Sequence, residues 1–284
     1  MPEVESLARF LTEKCVGRAI ARIDLVAFSA LKTYDPPLTA LVGLEIDGVS
    51  RHGKYLDISA QGLHLVFHLA RAGWLRWKET QPDAPPKPGR GPLSLRLTLD
   101  DKSGFDLTEA GTQRKLAVHV VADPMSIHMV ATLGPDPLTD DFDQPTLEAL
   151  LQAAGRAQLK GVLKDQRIIA GIGNAYSDEI LHAAKLSPFK PANSLTEVEL
   201  DTLYRAMKDE LAGAIRRAEG LAAKDLKSEK KSGLRVHGRK GEICGVCGDT
   251  IAEVSFADSS LQYCPTCQTG GKKLADRRLS KLLK

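Results

Sequence analysis

Apolar residues near the start of the chain recur at helical intervals: Val4, Leu7, Leu11 and Cys15 fall three and four positions apart, and Gly17 follows them. This spacing predicts an amphipathic helix ended by a glycine. From Ile20 to His119 the pattern shortens to β-rich runs at residues 21–26, 55–58, 63–68, 93–99 and 116–121, punctuated by Gly, Pro and Asp. Such runs predict an antiparallel sandwich or barrel. Residues 81–92, rich in Pro, Gly and Lys, read as a solvent loop joining two strands.

The β pattern breaks at residues 133–138, Leu-Gly-Pro-Asp-Pro-Leu, and residues 146–220 then carry Leu, Ile and Ala at helical spacing. Ser194-Leu195-Thr196-Glu197 matches a capping box, and Val198, Leu200, Leu203, Met207, Leu211 and Ile215 form an apolar stripe that reads as core and ends at Gly220. Residues 224–240, rich in Lys, Ser and Gly, read as a linker. The expected organisation is an α+β, multidomain chain: a β-sandwich with a leading helix at 1–132, a helical domain at 133–223, and a basic linker with a small terminal module at 224–284. No internal repeat is visible.

Four of the five cysteines form two pairs, Cys244-x-x-Cys247 and Cys264-x-x-Cys267, with sixteen residues between the pairs. Two tight turns that each present two thiolates close a tetrahedral zinc site, and four protein ligands leave no position for a reacting water. The expected cofactor is therefore one structural Zn2+. Two disulfides do not suit a reducing compartment, and a redox Cys-x-x-Cys does not suit a doubled pattern outside a strand-helix-strand context. A module of about forty residues holds little apolar core, so metal binding supplies much of its folding free energy. Cys15, alone on the first helix, reads as a small buried apolar residue.

Composition narrows the class. A chain of 284 residues with 43% hydrophobic side chains buries a substantial core, which argues against a disordered or disulfide-stapled protein. No window approaches the eighteen apolar residues of a membrane span. Acidic Glu3 and Glu5 stand where a signal peptide needs basic residues, so the expected location is cytoplasmic. The net charge of +3 is unevenly spread. Residues 224–284 hold thirteen Lys or Arg against seven Asp or Glu, a balance of +6 that leaves −3 for the rest. A basic segment beside a metal module favours a nucleic-acid partner, though the same charges also suit a solvated tail.

Chemistry concentrates first at Gly171-Ile172-Gly173-Asn174, where a turn enters a helix. Unpaired N–H groups at a helix start attract anions, two glycines allow close approach, and Asn174 adds a side-chain donor. Without the metal module and the basic tail, these residues read better as an ordinary glycine turn with Asn174 as N-cap.

That turn, the four-cysteine module, the opening Pro2-Glu3-Val4-Glu5, the segment Gly53-Lys54-Tyr55-Leu56 and the break at 133–138 together resemble the formamidopyrimidine-DNA glycosylase / endonuclease VIII family. The resemblance spans the chain. It implies an N-terminal β-sandwich with a leading helix, a helix-two-turn-helix DNA-binding domain and a zinc finger. It also implies a monomer acting on damaged double-stranded DNA as a base-excision-repair glycosylase and abasic-site lyase for oxidised purines. By the same resemblance Pro2, freed of Met1, is the amine nucleophile, Glu3 the general acid/base, and Lys54 the lysine that assists elimination. Lys160, Gly173 and Asn174 match phosphate-gripping positions, Arg114 an arginine that fills the void left by an everted nucleotide, and Arg71 a wedge position that is often methionine. Arg235 and Arg239 are further expected phosphate contacts.

Taken singly, Pro2 also suits a first helical turn, Glu3 the helix dipole, and Lys54 a solvated strand. The family opening reads Met-Pro-Glu-Leu-Pro-Glu-Val-Glu, so Met1-Pro2-Glu3-Val4-Glu5 is three residues shorter. Pro2-Glu3 therefore match either the first or the second Pro-Glu of that pattern. Ser259 stands where the finger normally carries an arginine, and Leu116 replaces a phenylalanine wedge. Lys272, Lys273, Arg277 and Arg278 follow the last cysteine as compensating charges. These departures leave a second reading, a catalytically impaired DNA-binding lesion sensor on the same scaffold. A zinc-ribbon scaffold for protein partners is a third.

Overall fold

The computed structural model describes residues 1–87, 91–111, 113–256 and 259–275. Two compact units make up the chain, one of residues 2–132 and 218–228, the other of Met1, 133–217 and 229–284.

In the first unit, α1 (Pro2–Cys15) buries Leu7, Ala8, Leu11 and Cys15, sets Glu3 and Glu5 in its first turn and Lys14 in its last. These charges complement the helix dipole. Gly17 follows with φ +78 and donates its N–H to Ile46 O at 3.0 Å. The expected glycine stop is therefore a left-handed residue that needs no Cβ. Burial pushes the Cys15 thiol up to about 12. Maleimide is accordingly expected to label Cys15 only after denaturation, and labelling of the native protein at this residue would contradict its burial.

Eight strands follow in two antiparallel sheets. One holds β1 (Ile20–Leu25), β6 (Leu93–Leu99), β7 (Gly104–Glu109) and β5 (Gly73–Lys78) in that order, the other β2 (Gly48–His52), β3 (Tyr55–Ala60), β4 (Leu63–His68) and β8 (Ala117–Val121). Leu56, Ile58, Leu65 and Phe67 from one sheet share a core with Leu75, Leu95, Leu97, Phe105 and Leu107 from the other, so the sandwich is the observed form. β3 and β4 pair Ala60 with Leu63 across the two-residue turn Gln61-Gly62, both at positive φ as a tight hairpin requires.

β2, β5 and β7 lie outside the apolar runs of the sequence. β7 shows why: Asp106, Thr108 and Glu109 interrupt its apolar pattern, yet all six of its residues are buried. Asp106 takes both guanidinium bonds of Arg96 on β6, at 2.7 and 2.9 Å, and Glu109 accepts the N–H groups of Lys115 and Leu116. Polar strand residues are buried here because each finds its partner across the fold.

The second unit gathers α3 (Gln144–Ala154), α4 (Leu159–Lys164), α5 (Asn174–Ala183) and most of α6 (Glu197–Ala218) around Leu147, Leu163, Ile172, Ile180, Leu203, Met207 and Leu211. The short α2 (His128–Ala131) precedes them in the chain. Leu200, Leu203, Met207, Leu211 and Ile215 are buried as expected, whereas Val198 is exposed. The capping box is displaced by two residues. Thr196 Oγ1 accepts the N–H of Glu199 at 3.3 Å, and Glu199 returns a carboxylate to the N–H of Thr196 at 2.8 Å. Ser194 instead donates to Pro191 O inside a 3-10 turn.

The expected linker is in part a helix, α7 (Leu226–Gly233). Leu226 joins the sandwich core, and Glu229 pairs with Arg217 at 2.8 Å. A burial site for Leu226 and a partner for Glu229, both distant in sequence, stabilise what composition alone reads as coil. The terminal module is a hairpin of β9 (Ala252–Ser255) and β10 (Ser260–Tyr263) followed by α8 (Pro265–Thr269). Among the described residues no helix is long and apolar enough to cross a membrane.

Candidate nucleic-acid interface and metal centre

The four paired cysteines converge, their Sγ atoms all within 4.8 Å of one another. Cys247 and Cys264 approach to 3.3 Å and Cys244 and Cys267 to 3.9 Å, far beyond an S–S bond, and none of the four is in a disulfide. Four thiolates packed this closely need a cation to offset their charge, and all-sulfur tetrahedral donation suits zinc. The donor set fits.

In the same unit, α5 begins behind the glycine turn. Gly171 stands at φ +85, a conformation that favours glycine, and a Cβ there would displace the Met1 side chain, whose Sδ lies 2.0 Å from its position. Gln166 clamps the turn, donating to Ile172 O at 2.7 Å and accepting from Gly171 N–H at 2.9 Å. Gly173 is the N-cap, and no side chain caps the helix. The N-cap reading of Asn174 is thus corrected: Asn174 is the first helical residue, and its Nδ2 donates to Ser260 O on β10 at 2.7 Å. An uncapped helix start beside the metal module leaves backbone donors for an anion.

Lys160, expected as a phosphate contact, is turned inward. Its Nζ donates to Asp178 Oδ1 at 2.6 Å, Ser177 Oγ at 2.9 Å and Asn174 O at 3.1 Å, with the lysine side chain 7% exposed and Asp178 fully buried. Burial lowers the Lys160 pKa against the pull of Asp178. This lysine acts on the turn from beneath, by holding the Asn174 carbonyl. Asp178 also accepts from His237 Nδ1 at 2.7 Å, and Glu179 accepts three consecutive backbone N–H groups, those of Arg235, Val236 and His237, at 2.8 to 2.9 Å.

Arg235 and Arg239 are half-exposed and engaged with acids, Arg235 with Glu179 and Glu210, Arg239 with Glu242 at 2.8 Å. Sequence reasoning missed Asp178, Glu179 and His182. Their available signal was a pair of carboxylates and a histidine on a helix whose residues 175–182 are all buried.

In the sandwich unit, Pro2 opens α1 and is buried, with its nitrogen in the Met1–Pro2 peptide bond, and half-buried Glu3 follows it. Lys54 lies in the two-residue turn between β2 and β3, where Gly53 supplies φ +57 and His52 pairs with Tyr55. Arg51 ties this turn to the helix, donating from Nε to Glu5 Oε2 at 2.7 Å and from Nη1 to Gly53 O at 3.2 Å. The lysine hairpin is thus braced against the helix that carries Pro2 and Glu3.

Arg71 is exposed in the turn between β4 and β5, beside Ala70 at φ +54. A Cβ on Gly73 would meet Leu69 O at 2.0 Å, so the loop closes tightly on itself. His68 Nδ1 accepts the Ala70 N–H at 3.1 Å. Burial and the Lys54 charge lower the His68 pKa from 6.5 to about 4. Because the folded value lies below the unfolded one, the unfolded chain binds the extra proton between them. This contribution to stability is present above about 6.5 and is lost as pH falls through about 4. Stability of the sandwich is expected to decline across that window in urea titrations, and His68→Asn to flatten the decline. An identical slope in the variant would remove His68 as the cause.

Arg114 is exposed and donates from Nη2 to Gly91 O at 3.0 Å. Leu116, in the place of a phenylalanine wedge, is 2% exposed within the sandwich core. The carbonyl of Ser259 accepts the Phe256 N–H at 2.7 Å. Lys272 and Lys273 are exposed, whereas Arg277 and Arg278 lie outside the described residues.

A β-sandwich, a helical unit with a glycine-rich uncapped helix start, and a four-cysteine finger define a zinc-finger protein of helix-two-turn-helix type. Residues 1–117 match the formamidopyrimidine-DNA glycosylase N-terminal domain, 133–225 its H2TH domain, and 235–270 the zinc finger found in FPG and IleRS. The formamidopyrimidine-DNA glycosylase of Symbiobacterium thermophilum is 33% identical over 291 residues, covering 98% of this chain and 92% of its own. An uncharacterized formamidopyrimidine-DNA glycosylase-like protein of Mycobacterium tuberculosis is 59% identical over 152 residues, 54% of this chain and 94% of its own. Among solved structures, Lactococcus lactis Fpg in complex with Fapy-dG-containing DNA superposes with a TM-score of 0.82 at 27% identity, covering 94% and 99% of the two chains. The chain belongs to the formamidopyrimidine-DNA glycosylase family, and its four cysteines hold one structural zinc.

Proposed function

We propose that the protein is a DNA glycosylase that removes oxidised purines from double-stranded DNA and then opens the abasic site as a lyase. The observation that carries this reading is the uncapped start of α5 at Gly173, beside the zinc finger, in a chain similar along its length to glycosylases. Backbone N–H groups there suit a DNA phosphate, and exposed Arg71 and Arg114 suit the gap left by an everted nucleotide.

For excision, the Pro2 nitrogen must first be released from Met1, since an acylated nitrogen has no lone pair to donate. A free secondary amine with a pKa of about 7.7 to 8.0 is partly neutral at physiological pH. Its lone pair forms a bond to C1′ of the everted nucleotide as the bond from C1′ to the base breaks, with Glu3 delivering a proton to the departing base or sugar oxygen. Ring opening gives the Schiff base, and loss of the 2′ proton with departure of the 3′ phosphate follows, Lys54 assisting. Ser259 lacks the charge and two-pronged grip of an arginine, so the second elimination is expected to be weak.

Borohydride trapping on duplex carrying an oxidised purine or an abasic site tests this directly. A covalent adduct at the mature N-terminus is expected, with loss of at least tenfold in Pro2→Gly. No adduct with either substrate, from protein whose N-terminal proline is verified by mass spectrometry, refutes the lyase reading.

A second reading, a lesion sensor that binds without cutting, rests on the shortened Pro2-Glu3 opening and on Ser259 in place of an arginine. Retained Met1 would keep the Pro2 nitrogen acylated. An N-terminal mass that includes methionine, together with lesion binding and no strand cleavage, identifies the sensor.

A further inference from the structure

His182, in the last turn of α5, is 3% exposed, and its Nε2 lies 3.4 Å from Cys244 Sγ. Its other ring nitrogen, Nδ1, is buried without a hydrogen-bond partner. The imidazole therefore makes its polar contact to a zinc-ligand sulfur, from a helix outside the finger.

The chemistry of that sulfur fixes the tautomer. A metal-bound cysteine is a thiolate and can only accept, so the proton of a neutral imidazole must sit on Nε2. A zinc ion with four thiolates carries a net charge of −2, and burying that charge is costly unless donors share it. Cys264 accepts a backbone N–H from within the finger, that of Cys267 at 3.5 Å. Cys244 likewise accepts backbone N–H groups within the finger, from Val246 and Cys247, and His182 adds a side-chain donor from the helical domain.

We propose that His182 is a positioning residue for the metal site: its Nε2–H supports the Cys244 thiolate, so the helical domain sets how firmly the finger keeps its zinc. Partners of this kind change metal affinity by about 10- to 100-fold when removed.

The test uses the full-length zinc-loaded protein and three forms: wild type, His182→Leu and His182→Gln. Leucine fills the site without a donor, whereas the glutamine amide can put an N–H near the position of Nε2. Zinc transfer to a chromogenic chelator is expected to be about 10- to 100-fold faster in His182→Leu and to return toward wild type in His182→Gln. In the cobalt-substituted proteins, the sulfur-to-metal charge-transfer band of His182→Leu is expected at lower energy, since a thiolate without its donor gives up electron density more readily. Equal zinc release in all three forms overturns the proposal. So does equally fast release in both variants with an unmoved cobalt band, which would reduce the contact to packing.

Discussion

Stripping zinc from the protein, or replacing Cys264 with serine, is expected to unfold the terminal module and lower DNA affinity by at least a hundredfold while the sandwich stays folded. The finger's buried apolar residues are few, Val236 and Ile251 beside the cysteines and Val254, Leu261 and Tyr263 on the hairpin. Against that small core, structural zinc contributes roughly 10 to 16 kcal/mol in finger peptides. The loss reaches the helical domain through β10 and α8. Ser260 O would leave Asn174 Nδ2, Gln262 N–H would leave Asp178, and the Gln268 amide would leave Leu186 O. The uncapped start of α5 then loses its neighbour. Chelator titration followed by fluorescence anisotropy with a labelled duplex, and limited proteolysis of the two units, measures both halves. DNA affinity preserved within threefold after verified zinc loss would show that the finger is dispensable for binding.

Lys160→Met is expected to destabilise the helical unit by about 3 to 5 kcal/mol, the usual cost of stranding a buried charge. Asp178 is fully buried, and Lys160 is its one lysine or arginine partner among the described residues. Methionine matches the length of the lysine stem but leaves the carboxylate with His237 and a backbone N–H at 3.3 Å. Lys160→Met/Asp178→Asn is expected to recover part of the loss, because a neutral amide needs no counter-charge. Urea denaturation read by hydrogen exchange in α4 and α5 separates this unit from the sandwich. A loss below about 1 kcal/mol would mean that the pair is effectively solvated. A direct phosphate role for Lys160 would lower DNA affinity without such a loss.

The features legible in the chain were those written at short range. The first helix and its glycine stop, the strand runs at 63–68 and 93–99, and the doubled Cys-x-x-Cys each depend on residues a few positions apart, so spacing alone carries them. The resemblance named the family because its motifs are likewise local. Partners distant in sequence determined the rest. β7 is buried because Arg96 answers Asp106, and α7 forms where Leu226 finds the sandwich core and Glu229 finds Arg217. The capping box shifts to Thr196 and Glu199, where Lys190 also holds the glutamate at 2.6 Å. Lys160 points inward because Asp178, eighteen residues on, lies beneath it, and His182 meets a cysteine sixty-two positions away. A charged side chain reads as surface until its counter-charge is known. Burial without that partner costs more than folding returns, so the pairing, which exists only in three dimensions, decides whether the residue faces water or the core.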